Sequence, residues 1–313
     1  MPWSARARTE ARFVRTAPDP MQDPARLAGG ALDPVTVIVV TRESAHCLPA
    51  LNPLLSQCPN VIVSDNGSAD GTATSARRLW PHAIVLEHGR NLGFGAANNR
   101  ALARVQTPFA LLLNPDCEMD REGLLALLAM ASELPQAAVF APQLVSASGK
   151  PEINYRWPQT LWAPRGPGAS GPTCVGFVCG AAMLFRMASF REIGFFDEQF
   201  FLYYEDDDLC LRLFNAGQNI VVVPSVRATH HSRGSVRGTS PWRHEFGRGF
   251  HHAQSKLQFA QKYRSREEAQ RLRRWLLVTT TLGLPLRAIV FSPKLLARMV
   301  GRWRGLLSWS ARA

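Results

Sequence analysis

From residue 35 the chain reads as apolar runs alternating with amphipathic stretches. The first run, "VTVIVV", is continuous and β-branched, the pattern of a strand buried on both faces. A helix-like stretch follows around residues 46–56. Next come the strand "NVIVS" and the segment "SADGTATSARRLW", in which Ser68 and Asp70 suit a helix start. The strand "AIVLE" then leads to "NLGFGAANNRALARV", and "PFALLLN" leads to "DREGLLALLAMASEL". Strands alternating with helices of this length predict βαβ units and a parallel sheet. No internal repeat is evident.

In open sheets of this kind ligands bind at the carboxyl ends of the strands, so the residues after each run are the candidates. They are Thr41-Arg42-Glu43, Asp65-Asn66-Gly67-Ser68, Arg90-Asn91-x-Gly93 and Asn114-Pro115-Asp116. These polar, turn-prone groups form one rim, which is the predicted active site.

Asp65 reads either as the start of an Asx turn through Asn66-Gly67 or as the acceptor of a hydrogen bond from a nucleobase imide. Asp120 is the natural N-cap of the helix that follows it. That leaves Asp116 as a candidate ligand for Mg²⁺ or Mn²⁺, hard cations that prefer oxygen donors. The glycines of "RNLGFGAANN" fit neither a P-loop nor a dinucleotide fingerprint. A helix N-terminus facing the rim still favours phosphate, and Arg90 adds a cation.

The stretch "FFLYYEDDDLCLRLFNAG" sets four carboxylates, Glu205 to Asp208, between aromatic residues and a helix that Gly217 ends. Acids in a first helical turn are favourable, which accounts for one or two of them. Contiguous carboxylates raise one another's proton affinity, and a partly desolvated wall of Phe200, Phe201, Tyr203 and Tyr204 adds to this. The result suits a general base. Downstream, "VVVPSVRATHHSRGS" ends a strand in His230 and His231, followed by Arg233; these offer an imidazole to a metal and a guanidinium to phosphate.

Charge is unevenly distributed along the 313 residues. Residues 227–313 carry 18 Lys+Arg against 3 Asp+Glu, whereas residues 35–226 carry 13 against 17. The basic tail suggests an anionic partner. Its excess lies outside the predicted rim and no nucleic-acid module is visible, so nucleic acid is not expected as that partner. The segment "WLLVTTTLGLPLRAIVF" contains Pro285 and Arg287 and is shorter than the ~20 apolar residues a spanning helix needs, so a buried or interfacial element is expected. After it, "KLLARMVGRWRGLLSW" predicts an amphipathic helix. Lys294, Arg298 and Arg302 share one face, and Leu295, Met299, Trp303, Leu306 and Leu307 share another. The expectation is a helix lying on an anionic membrane surface; the alternative is a helix packed on the catalytic domain.

The six cysteines show no zinc or disulfide spacing and read as reduced thiols of a cytoplasmic protein. Residues 1–34 have no apolar h-region and read as a disordered extension, with Met21 a candidate start.

The ordered series Thr41…Asp65-Asn66-Gly67-Ser68…Arg90-Asn91-x-Gly93-Phe94-Gly95…Asn114-Pro115-Asp116…Gly180…Phe196-Asp197…Tyr204-Glu205-Asp206…Asp208…Arg212…His230 resembles the family 2 glycosyltransferases. Within them it is most similar to rhamnosyltransferase-like members that extend lipid-linked glycans. The match runs over residues 35–262, which leaves 263–313 as a basic helical extension associated with a membrane, at the inner face of the cell membrane. The resemblance implies an α/β fold of the GT-A kind, with a Rossmann-like, mostly parallel sheet flanked by helices. It also implies a UDP- or dTDP-sugar donor, Mg²⁺ or Mn²⁺, a glycan or polyprenyl-linked acceptor, and inversion at the anomeric carbon.

By the same resemblance, Asp65 would contact the uracil or thymine, and Asp116 and His230 would bind metal, with His231 as the substitute. Asp206, paired with Glu205, would be the general base. Thr41, Arg42, Arg90, Asn91, Gly93, Asn114, Asp116 and Arg233 would bind the nucleotide-sugar, with Gly180 and Tyr204 on the acceptor side. Two departures stand out. Arg42 and Glu43 replace the usual Tyr-Asn of the first loop, and a guanidinium plane also stacks on bases. Asn114 replaces the first acid of the Asp-x-Asp motif. A sugar-nucleotide nucleotidyltransferase is the rival reading, but "TRESAHC" is not the Gly-rich basic loop that activity requires.

Overall fold

The computed structural model describes residues 30–156, 168–231, 234, 241–289 and 292–310. Residues 31–313 form one compact unit.

The predicted alternation is present. β1 (Val35–Thr41), β2 (Asn60–Asp65), β3 (Ile84–Glu87) and β4 (Phe109–Leu113) run parallel in the order β3-β2-β1-β4, joined by α1 (Leu48–Leu55), α2 (Thr72–Leu79) and α3 (Phe94–Leu102). β1 and β4 lie inside the sheet and are buried almost throughout, which explains why β1 is β-branched along its whole length and β4 entirely apolar; β3, at the edge, exposes Ile84. α2 starts later than expected, at Thr72 after a left-handed Gly71. Ser68 turns back to Asp65 instead, and Asp70 accepts hydrogen bonds from Thr72 and from the Ala45 amide.

The second half of the sheet is mixed. β5 (Cys117–Glu118) is followed by α4 (Arg121–Glu133), which Asp120 caps as expected by accepting from the Gly123 amide at 2.7 Å. Then come β6 (Ala137–Val145), β7 (Tyr155–Arg156), β8 (Thr173–Val175), β9 (Phe177–Val178) and β10 (Ala182–Arg186). After α5 (Glu205–Asn215), the 12-residue β11 (Asn219–His230) returns parallel to β6. The nine-stranded sheet runs β3-β2-β1-β4-β10-β6-β11-β5, with β8 also paired to β11.

β10 is antiparallel to both β4 and β6, with Ala182 opposite Leu113. The start of β10 therefore meets the carboxyl end of β4. Antiparallel β5 likewise sets Cys117 opposite His230 at the end of β11. These two pairings bring the second half of the chain to the rim that sequence predicted from the first half.

Three helices close the chain: α6 (Pro241–Tyr263), α7 (Arg266–Ile289) and α8 (Pro293–Ser308). They share a core of Ala253, Leu257, Ala269, Leu276 and Leu306. α6 and α8 approach so closely that a Cβ at Gly249, Gly301 or Gly305 would collide with the backbone of the other helix. The predicted amphipathic helix is thus α8, but its polar and apolar residues are divided differently. Leu306 is buried, Leu295 and Leu307 are exposed, and Arg298 faces Glu245 of α6.

Candidate active site

A cavity of about 480 Å³ opens at the predicted rim. Its strand-end wall includes Thr41, Arg42, Asn66, Asn91 and Gly93. Asn66 ties its own turn to the loop of Asn91, Leu92 and Gly93. Its amide nitrogen donates to Asn91 Oδ1 at 2.9 Å and to the Gly93 carbonyl at 3.0 Å, and its Oδ1 accepts from the Leu92 amide at 2.7 Å. Arg42 is anchored by donating to the Asn66 carbonyl at 3.0 Å. Asp65 is buried beneath this wall and is absent from the cavity lining. Its carboxylate accepts from Thr41 Oγ1 at 2.9 Å, Ser68 Oγ at 2.6 Å and the Ser68 amide at 3.0 Å. Arg90 is exposed and likewise does not line the cavity.

The pairing of β5 with β11 joins Asp116 to His230. Asp116 is buried, and its Oδ1 lies 3.7 Å from His230 Nε2 while its Oδ2 accepts from the Gly234 amide at 3.0 Å. Both residues line the cavity, as does Asn114. His231 turns away, with its Nε2 at 2.8 Å from Glu118 Oε1. Of the two histidines, His230 is the one on the cavity wall beside Asp116. Arg233 lies outside the described residues.

Among the described residues no cluster of three His, Cys, Asp or Glu side chains could cage a metal ion. A carboxylate and an imidazole on one cavity wall still suit a divalent cation that takes its other ligands from water and substrate phosphate. The donor set fits that use.

The four carboxylates occupy the first turn of α5, entered through Tyr203 and Tyr204, both left-handed with φ of 70° and 69°. This conformation is costly for residues with a Cβ. It is held by neighbours: the Phe94 amide donates to the Phe201 carbonyl at 3.0 Å, and the Phe201 ring stacks on His251 with centroids 4.4 Å apart.

Each acid then has a different fate. Asp208 is fully buried and accepts from Lys262 Nζ at 2.5 Å, Tyr263 OH at 2.7 Å and Arg212 Nε at 2.8 Å, binding α5 to α6. Asp207 pairs with Arg156 at 2.6 Å, yet burial and the neighbouring Asp206 push it up to about 7. Asp206 is half-buried and accepts from the Gly180 amide at 3.3 Å; burial raises its proton affinity. Glu205 is buried, its Oε2 has no hydrogen-bond partner among the described residues, and burial followed by the Asp206 charge holds it well above the carboxylate range.

Neither Asp206 nor Gly180, which it contacts, is on the cavity wall, but Phe94 beside Gly180 is. A Cβ on Gly180 would sit 3.4 Å from the Phe94 ring, which lines the cavity, and 3.8 Å from the Asp206 Cβ. The next residue, Ala181, accepts from the Asn114 amide at 2.9 Å. Asp206 and Asp116 are therefore at the same rim, linked through Gly180-Ala181 and Asn114. Tyr204 faces α6, with its ring 5.6 Å from His252 and 5.3 Å from Phe259.

These features agree with what the chain is related to. Residues 36–194 match the model of glycosyl transferase family 2. The chain belongs to the family 2 glycosyltransferases. Residues 161–311 of the enzyme also match a second model, glycosyl transferase family group 2. The glycosyltransferase is 30% identical over 249 residues to an N-acetylglucosaminyl-diphospho-decaprenol L-rhamnosyltransferase of Mycobacterium tuberculosis, covering 68% of this chain and 80% of that one. It is 27% identical over 206 residues to the rhamnosyltransferase WbbL of Escherichia coli (strain K12), covering 55% and 72%. Among solved structures, the mannosyltransferase PcManGT of Pyrobaculum calidifontis, determined with GDP-Man and Mn²⁺, superposes with a TM-score of 0.52 at 14% identity. That match covers 88% of this chain and 85% of the other and shows a shared GT-A fold.

Sequence reasoning missed part of the cavity of this glycosyltransferase. Arg248 of α6 and Arg298 of α8 line it. For the arginines the available signal was the glycines at 249, 301 and 305, which mark close helix contact rather than a solvated tail.

Proposed function

We propose that this glycosyltransferase moves a sugar, rhamnose by analogy with its relatives, from a UDP- or dTDP-sugar to a hydroxyl of a polyprenyl-linked glycan with inversion. The observation that carries the reading is the meeting of Asp116 and His230 with the Asp206–Gly180 contact at one strand rim. Thr41, Arg42 and Asn91 would seat the nucleoside, and Asp65 would keep the base-side rim in shape through Thr41 and Ser68. Asp206 takes the proton from the acceptor hydroxyl, that oxygen attacks the anomeric carbon, and the bond from that carbon to the nucleoside diphosphate breaks. Burial makes Asp206 a stronger base than an exposed aspartate. Asp116 and His230 would hold Mg²⁺ or Mn²⁺, which would neutralise charge on the leaving diphosphate.

Asp206→Asn tests the base. With nucleotide affinity retained, kcat should fall by roughly 10²–10⁴, the usual worth of a general base; wild-type turnover would remove Asp206 from the mechanism.

Membrane attachment belongs to the same proposal. Among the described residues no helix is long and apolar enough to cross a membrane. α7 exposes Trp275 at 61%, Val278 at 59% and Leu282 at 69%, on one face that also carries Arg271 and Arg274. An apolar stripe beside basic residues suits the interface of an anionic bilayer. In flotation assays wild type should rise with vesicles containing anionic lipid, and Trp275→Ser/Leu282→Ser should remain at the bottom. Equal flotation of the two would exclude this face.

A further inference from the structure

Helices α6 and α8 bring to the cavity a set of cations that the sheet rim does not explain. Arg248 and Arg298 line it, and the same helix faces continue to Lys256 and Arg302. One carboxylate answers them: Glu245 accepts from Arg248 Nη1 at 2.7 Å and lies 3.8 Å from Arg298 Nε. Among the described residues Lys256 and Arg302 make no ion pair, although both are half-buried. Burial lowers the proton affinity of both, and the Arg302 charge lowers that of Lys256 further. His252, between them on α6, is pushed to about 4 by burial and by Lys256, Arg302 and Arg298. Gathering like charge away from water is unfavourable unless an anion joins it. Guanidinium groups in particular match the geometry of phosphate oxygens.

We propose that Arg248, Arg298 and Arg302 form the subsite for the diphosphate of a prenyl-diphosphate-linked acceptor. The inference rests on the glycosyl-transfer reading above and adds which residues hold the acceptor's anionic link. Two diphosphates could claim this chemistry, the donor's and the acceptor's. The donor's falls to Asp116 and His230 at the strand ends. The arginines come from helices that pack against α7, whose exposed apolar stripe faces away from the shared core. An acceptor anchored in a lipid surface at α7 reaches the cavity past α6 and α8.

The test is calorimetric titration of the full chain with farnesyl diphosphate, a soluble prenyl diphosphate, and separately with UDP and dTDP in the presence of Mn²⁺. Arg298→Gln should weaken farnesyl diphosphate about tenfold, roughly 1.4 kcal/mol. Adding Arg302→Gln should weaken it further, Arg298→Lys should restore most of the affinity, and nucleotide affinity should stay within about twofold of wild type. Retained nucleotide binding also shows that the variants are folded. Farnesyl diphosphate binding that is absent from wild type, or equal in wild type and the double variant, would overturn the proposal. So would nucleotide affinity falling in step with it, which would give the cations to the donor. Wild type that binds farnesyl diphosphate but neither nucleotide would overturn the glycosyl-transfer reading, and the acceptor assignment with it.

Discussion

Gly93→Ala probes how α3 controls the acids of α5. Gly93 has a φ of +93°, and a Cβ there would stand 3.0 Å from the Phe201 carbonyl carbon and nearer still to its oxygen. With ψ at 169° this is a backbone conformation that essentially only glycine adopts, and it costs an alanine about 1–3 kcal/mol. The Phe201 carbonyl must also retreat, and the hydrogen bond it accepts from the Phe94 amide is weakened or lost. An unsatisfied buried group adds about 1–3 kcal/mol. The total, roughly 2–6 kcal/mol, is a large share of the ~5–15 kcal/mol that holds a typical domain together. Urea unfolding followed by tryptophan fluorescence measures it. Gly89→Ala is the control, since Gly89 has a φ of +67° but nothing within 4 Å of its Cβ position, so only the backbone cost should appear. Because Phe201 leads through Tyr203 and Tyr204 into Glu205 and Asp206, kcat should fall as well, by up to about 10²-fold for a displacement near 1 Å. If Gly93→Ala loses no more stability than Gly89→Ala and turns over like wild type, the contact does not position the acids.

Two further outcomes follow from the carboxylate run. Asp208→Asn removes the only acid among the four that Lys262, Tyr263 and Arg212 all reach. Breaking a buried ion pair from one side should cost about 3–5 kcal/mol in urea unfolding; a loss under about 1 kcal/mol would show that α6 docks on α5 without it. The pH profile of kcat should have an acid limb above the ordinary carboxylate range of about 4. Burial raises the proton affinity of Asp206, and its protonated form cannot act as base, so activity is lost as pH falls through that raised value. Asp207→Asn should move the limb to lower pH, because it frees Arg156, whose charge already lowers the proton affinity of Asp206, from its ion pair. An unmoved limb would assign the titration to another group.

The sequence by itself determined the parts of the molecule whose signals are local. The β-branched run at residues 35–40 and the apolar run at 109–113 are buried strands because a strand enclosed on both faces favours such side chains at successive positions rather than at alternate ones. Asp120 caps its helix because capping involves residues three apart. The strand-end rim was legible because parallel strands put all their carboxyl ends on one side. Tertiary structure decided what depends on distant chain meeting chain. The antiparallel insertion of β10 brings Ala181 to Asn114, and the pairing of β5 with β11 puts His230 beside Asp116 while His231 turns to Glu118; no local pattern records either register. The same holds for the acids of α5, alike in sequence, whose partners come from Gly180, Arg156 and Lys262. It holds for the basic tail too. Charge and periodicity described a helix with a cationic face, but glycine contacts between α6 and α8 turn Arg298 toward the cavity, because close backbone packing and not solvation sets which way that face points.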